Sequence, residues 1–565
     1  MRLLSAVLVL TACGGNSGTN VVVAPPCTPG GAGAALTLAV GGVAVFSAPD
    51  TLACMQIPAA ATATGYLFIA ANAYPAQAGP APYNVAAALE GLALANGAEP
   101  AGPLGAMQGG LMSHQLVQLH LPGAASVQRN FAAARRYWQT AAAMQPAAGV
   151  ASATVAALPV VGDSLTFRVP HSTNPCGSYD TVKAYVKAVG AHGILVQDVL
   201  APANGFTASD FTAISSEFDT FTYPTDTSLF GPPTDLDTNK HVFILYTPRV
   251  NAMTPRNSGS YLAGFFFPGD LFPRSLCPQS NVGEIVYLLV PDPLGTFSDP
   301  RPTAFVRQVT RSVIAHEVEH LINLGVRIVE SNTNPNITEE SIWLDEALAH
   351  FAEEYTGRAE DGFSNFQKLT YANITANTAD DTAFYRSNLI DLRFFLQRPD
   401  TASSIANTDA ILADDGAAWA LLHYTADQYA SSNLAKFTLA LVAGPDSGLP
   451  NLRLRSGAPF DSLLAGWMIA LYADGLGISG LSPRYTFLSW NYRDAETGGT
   501  GIGYPLRVTP VTAGSSVSTT ARPGSGNYFL ESSSPTTPKE IFRVLGPGGT
   551  IVNFLGARLY ALRVQ

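Results

Sequence analysis

Charge is scarce in this chain. Asp, Glu, Lys and Arg supply 13% of 565 residues, and they balance at −11. No basic cluster offsets that balance, which argues against nucleic acid as a partner. Cysteine is scarce as well. The 5 Cys include no close pair of metal-ligand type, which argues against a Cys-ligated zinc site. No tandem repeat runs through the sequence, so a solenoid is not expected. Beyond the N-terminal segment no apolar run is long and unbroken enough to cross a bilayer. Apolar side chains, by contrast, make up 47% of residues, enough to bury a large core. The length suggests three or four domains. Low charge with much Ala, Gly, Ser and Thr suits an extracellular protein.

The first residues are an address. Met1-Arg2 precedes the short apolar run Leu3–Leu10, and Leu10-Thr11-Ala12-Cys13 resembles a bacterial lipoprotein box. In that class, cleavage after residue 12 frees Cys13 for acylation, and several acyl chains hold a protein on a membrane. Residues 13–30 then form a tether. The expected location is the bacterial cell envelope, exported and lipid-anchored. An ordinary secretion signal with a coincidental Cys is the plainer alternative. With Cys13 set aside, Cys27, Cys54, Cys176 and Cys277 allow three pairings. Sequence order and domain grouping favour Cys27–Cys54 and Cys176–Cys277.

Composition and periodicity divide the rest. Residues 31–160 alternate short apolar runs (Ala35–Val40, Gly65–Ala71, Gln115–His120) with Gly, Pro and Ala turns. They predict an N-terminal β-sandwich-like domain. Within them Arg129–Met144 reads as helix and 146–160 as linker. Residues 161–300 form a strand-rich lobe and 301–490 a helical lobe. Residues 495–565 return to short strands as a small C-terminal β domain. The predicted class is α+β and multidomain, with a two-lobed centre at 161–490.

The chain has only 9 His, which makes His316-Glu317-Val318-Glu319-His320 informative. Ser298-Asp299 can cap a helix here, and Val306, Val309 and Val313 continue its buried face. Gly325 reads as its stop. On a helix, His316 and His320 share a face and can grip one Zn²⁺, with Glu317 beside the attacking water as general base. A catalytic zinc wants a third protein ligand. The extended motif that supplies a third His is closed, because position 323 is Asn and position 326 is Val. A second helix, capped by Thr338 and stopped by Gly357, carries Glu346, His350 and Glu353 on one face. Glu346 is the assigned ligand. His350 and Glu353 are read as hydrogen-bonding partners that orient ligands. A surface helix with a charge stripe is the bland alternative.

His316–His320 followed by Trp343-Leu344-Asp345-Glu346-Ala347 resembles the gluzincin metalloproteases, and within them the hyicolysin family. The resemblance covers about residues 165–490 and extends to Glu217–Tyr223, Val242–Thr247 and Gly416–Tyr429. It implies a zincin-like fold with one Zn²⁺ per chain on His316, His320 and Glu346. It also implies Glu317 as the catalytic base and a protein or peptide substrate. Asp345 and Ala347 stand where relatives commonly have Asn and Gly. Asp414-Asp415 stand where relatives often show Tyr. Related aminopeptidases carry a Gly-x-Met-Glu-Asn run, and its absence favours an endopeptidase. Tyr424 and His423 are the candidate oxyanion donors from their place along the chain. The segment Gly259–Gly269 is either a substrate-pairing edge strand or a buried core strand. The rival function is a decayed zincin that serves as a surface-binding or adhesin lipoprotein.

Asp235-Leu236-Asp237-Thr238-Asn239 alternates oxygen side chains and could hold a structural Ca²⁺. Lys240 stands where an EF-hand needs Gly, and Tyr246 where it needs Glu, so that loop type is excluded. An Asx turn before a strand is the simpler expectation.

Overall fold

A computed structural model describes residues 34–76, 78–89, 116–118, 131–144, 158–171, 176–330, 337–406, 412–501, 503–537 and 539–565. The expected signal segment and the whole tether, with Cys13 and Cys27, lie outside these residues. The α+β class is present, with several sheets and a large helical region. Among the described residues, no helix is long and apolar enough to cross a membrane.

The chain begins with β1 (Ala34–Ala35), β2 (Val43–Phe46), β3 (Met55–Ile57), β4 (Thr64–Asn72) and β5 (Ala81–Leu89). A short β6 (Leu116–Gln118) follows. The middle supplies β7 (Ser164–Pro170), β8 (Tyr179–Val189), β9 (Gly193–Asp198), β10 (Val242–Tyr246), β11 (Ser260–Leu262), β12 (Gly264–Phe266) and β13 (Ile285–Leu288). The end supplies β14 (Val508–Val511), β15 (Ser516–Ala521), β16 (Ser525–Ser533), β17 (Glu540–Leu545) and β18 (Ala557–Arg563).

The two terminal β stretches, expected as separate flanking domains, instead interleave. One sheet runs β1-β3-β17-β5-β15 and the other β14-β16-β4-β18-β2. β4 lies between β16 and β18, antiparallel to both. The reason is visible in β4 itself, whose nine residues are all buried. Tyr66, Phe68 and Ala70 point into the sandwich core, where Phe68 stacks on Phe542 at 4.0 Å. Leu67, Ile69 and Ala71 point the other way, into the main core shared with the helices. A strand buried on both faces needs partners on both edges, and the C-terminal stretch provides them.

The six-stranded central sheet runs β12-β13-β10-β9-β8-β7, with β9, β10 and β13 parallel and β12 antiparallel at the edge. Both expectations for Gly259–Gly269 hold in part: β12 is an edge strand and is also buried. β11 pairs instead with β6.

Helices dominate the described residues between Thr303 and Thr500. The His helix spans Thr303–Gly325 behind Pro302 rather than starting at Ser298. Gly325 does not stop it; a π-helical turn, Val326–Glu330, continues it. A Cβ on Gly325 would meet Thr234 Cγ2 at 3.0 Å, so this glycine permits a close contact. The Glu helix spans Ile342–Asp361, starting after Ser341 and closing on left-handed Gly362. Gly357, the expected stop, lies inside it. A Cβ there would sit 2.6 Å from Phe384 Cβ.

Cys176 and Cys277 form a disulfide across 101 positions. Cys54 is disulfide-bonded as well. Closing so long a loop restricts the unfolded chain by about 3–5 kcal/mol. A Cys176→Ser/Cys277→Ser double variant is therefore expected to unfold at clearly lower denaturant concentration. An unchanged midpoint would contradict that role.

Candidate metal centre

The His helix is buried almost continuously from Thr310 to Gly325. β12 lies directly on it because Gly264 has no side chain. A Cβ there would come within 2.7 Å of Val313 Cγ1. This approach brings the backbone N–H of Phe266 to Glu317, where it donates to Oε2 at 2.6 Å. Ala347, fully buried in the main core with the His helix, and Ala349, also fully buried, leave room for close packing of the Glu helix.

Between the helices, His316 Nε2 lies 3.1 Å from His320 Nε2. Glu346 places one oxygen 3.4 Å from His316 Nε2 and the other 3.4 Å from His320 Nε2. Both rings turn their other nitrogen to a carboxylate. His316 Nδ1 lies 2.6 Å from Glu353 Oε1, and His320 Nδ1 lies 3.1 Å from Asp345 Oδ2. Glu353, hydrogen-bonded to His316, keeps that ring's proton on Nδ1 and leaves its Nε2 lone pair outward, while Asp345 lies at ion-pair distance from His320 Nδ1. Both Nε2 atoms and a carboxylate then converge on one point. Their repulsion is relieved by a metal ion between them or by a proton shared between the two Nε2 atoms. His316, His320 and Glu346 are thus a group that can hold one metal ion.

His316, His350 and Glu353 form a second possible group. There the His316 Nδ1–Glu353 contact, at 2.6 Å, has the length of a hydrogen bond rather than of two neighbouring ligands. Glu353 also receives His350 Nδ1 at 3.1 Å. Burial opposes ionisation of Glu353, but His350 and His316 outweigh it and hold the carboxyl below its ordinary range. Burial likewise opposes charge on His350. Glu353, with Asp391 and Asp415, outweighs it and pushes the imidazole up to about 9. His350 and Glu353 therefore sit where hydrogen-bonding partners were expected.

Two further residues reach this site. Asp345, which the sequence presents as a helix residue, faces His320. Asn323, used only to exclude the extended His motif, donates to Asp345 Oδ1 at 2.8 Å. Arg327 donates in turn to Asn323 Oδ1 at 3.0 Å. The Trp-Leu-Asp-Glu spacing was the available signal for Asp345, since it adjoins Glu346. Glu319, the other acid of the motif, is fully buried, and burial, then Asp345, Asp226 and Glu346, push its carboxyl well above the usual range.

Tyr424 and His423 are not brought to this group. The Tyr424 hydroxyl donates to the Arg484 carbonyl at 3.0 Å. His423 lies between Glu354, 2.6 Å from Nε2, and Ser489, 3.0 Å from Nδ1. Glu354 follows Glu353 directly but points to a different side of its helix, where it also accepts from Arg358 and Trp490. The assignment of Tyr424 and His423 as oxyanion donors is corrected accordingly: both brace the helical core. In the Asp235–Asn239 loop, Asp235 and Asp237 approach Glu284 as a further group able to hold a metal. Asn239 does not join it. Its amide donates to Asp237 at 2.5 Å, and its Oδ1 accepts from the His241 N–H.

Neither a scan of protein families nor a comparison with curated proteins returns a match for this chain.

Proposed function

We propose that this protein is a zinc-dependent metalloendopeptidase. One observation carries the reading: the His316, His320 and Glu346 donor atoms converge beside Glu317, itself held by a backbone N–H of an edge strand. A tetrahedral zinc with bonds of about 2.0–2.1 Å sets its ligand atoms roughly 3.3–3.4 Å apart. The separations of 3.1, 3.4 and 3.4 Å fit that ion. Two imidazoles and one carboxylate are also the ligand types of catalytic rather than structural zinc.

Bound there, zinc would supply Lewis-acid polarisation of the scissile carbonyl and make the attacking water more acidic. The chain supplies the rest. Glu317 takes the water proton and returns it to the leaving amine. Phe266 N–H fixes one Glu317 oxygen, which limits the rotamers open to the base. An extended peptide that paired with the β12 edge would pass beside Glu317. Glu353 holds the His316 ring in one tautomer and orientation, and the Asp345 carboxylate faces the His320 ring. Export to a bacterial envelope remains the reading of the N-terminal segment. The Cys176–Cys277 disulfide supports an oxidising compartment.

Incubation with casein and mass mapping of the products tests the activity. New termini inside the casein chain, abolished by a chelator, are expected. A zinc-replete protein that leaves casein intact would favour the rival reading, a zincin scaffold kept for surface binding. Tyr424→Phe supplies an internal check. Its hydroxyl serves Arg484, so kcat is expected to stay within about threefold of wild type, because only an oxyanion donor is worth about 10²-fold or more. A large loss in kcat with unchanged stability would return Tyr424 to the reaction.

A further inference from the structure

A further group lies toward the same end of the central sheet, where β10 and β13 begin and where Phe266, opposite Val286, meets Glu317. Asp235 and Asp237 sit in the loop before β10, and Glu284 immediately precedes β13. β10 and β13 are parallel neighbours, with Phe243 opposite Ile285, so the loop and Glu284 enter the sheet side by side. One carboxylate oxygen from each of Asp235, Asp237 and Glu284 lies within 4.8 Å of the others. Gly283, the residue before Glu284, borders Asp237: a Cβ there would lie 3.7 Å from Asp237 Oδ2, an ordinary contact.

Glu284 is 1% exposed. Its Oε1 accepts the Thr234 hydroxyl at 2.7 Å and the Leu236 N–H at 3.0 Å. Its Oε2 is buried and has no hydrogen-bond partner among the described residues. Burial pushes this carboxyl up to about 7 despite the Thr234 and Leu236 hydrogen bonds, and Asp237 adds to the rise. Burying a carboxylate oxygen without a partner is costly, and a cation beside it relieves that cost, as does protonation.

We propose that Asp235, Asp237 and Glu284 bind one hard divalent cation of the Ca²⁺ class, at a site separate from His316, His320 and Glu346. Oxygen-only donors select such an ion, and Ca²⁺ at about 2.4 Å from each oxygen holds any two of them no more than about 4.8 Å apart. The role follows from the surroundings. Thr234, whose hydroxyl is held by Glu284, packs against Gly325 at the end of the His helix. The cation fastens this loop to two strands and to the helix that carries His316 and His320. It is a structural site and takes no part in the reaction.

The test is calorimetric titration of CaCl₂ into the full-length, zinc-loaded protein, with thermal unfolding followed in parallel. One Ca²⁺ per chain and an upward shift in Tm are expected. Glu284→Gln and Asp235→Asn should each weaken Ca²⁺ binding by at least about tenfold and remove most of the Tm shift, because each removes one anionic ligand. Asp235 is exposed, so its variant tests the site without disturbing the core. Zinc content should stay unchanged in both, which separates this site from the proposed catalytic one. The proposal is overturned if wild-type protein shows neither heat nor Tm shift. It is equally overturned if both variants respond to Ca²⁺ as wild type does.

Discussion

Glu317→Gln is expected to retain zinc near one per chain and to lose hydrolysis by roughly 10²- to 10⁴-fold. The amide keeps the size of the side chain and an oxygen that can accept from Phe266 N–H. It loses only the capacity to take a proton. Glu317 is 1% exposed, so a distant group is poorly placed to replace it. The experiment compares steady-state hydrolysis and metal content on the same preparation. Activity within about tenfold of wild type would remove Glu317 from the role of base.

Glu346→Ala is expected to empty the metal group. It removes one of three donors, and both Nε2 atoms then face each other with no anion beside them. His350→Ala should act less severely. It deletes a partner of Glu353 but leaves the 2.6 Å contact of Glu353 with His316 Nδ1. Loss of such an outer partner costs roughly 10- to 100-fold in metal affinity, and loss of a direct ligand should cost more. Competition with a zinc-sensitive dye measures both. If His350→Ala emptied the site while Glu346→Ala did not, the ligand set would be His316, His350 and Glu353.

The residues that were legible in the sequence are those related by helical spacing. His316, Glu317 and His320 lie within one turn and a half, and Glu346 and Glu353 share a face of the next helix. Periodicity fixes such relations without knowledge of the fold. Asp345 and Asn323 escaped because their roles arise across two helices, 22 positions apart. Tyr424 and His423 were misassigned for a related reason. Position along a helix does not say which way its side chains face once neighbours pack against it.

The same limit shaped the reading of the fold. Strand periodicity located both terminal β stretches, but it carries no information about pairing. Ser525 pairs with Asn72 and Ala557 with the same residue, across most of the chain. Gly325 and Gly357 look like helix stops because glycine commonly ends helices. Their actual use is to admit Thr234 and Phe384, which only the packing shows. The Asp235–Asn239 loop was visible as a row of oxygens, whereas Glu284 joins it through parallel pairing of β10 and β13.

Zinc add-back to chelator-treated protein, with casein hydrolysis recorded at each addition, tests the central claim most directly. Hydrolysis should be absent at the start, rise in proportion to bound zinc and level off at one equivalent per chain. Zinc that binds to one equivalent without restoring hydrolysis, or hydrolysis that persists in the metal-free protein, would contradict it.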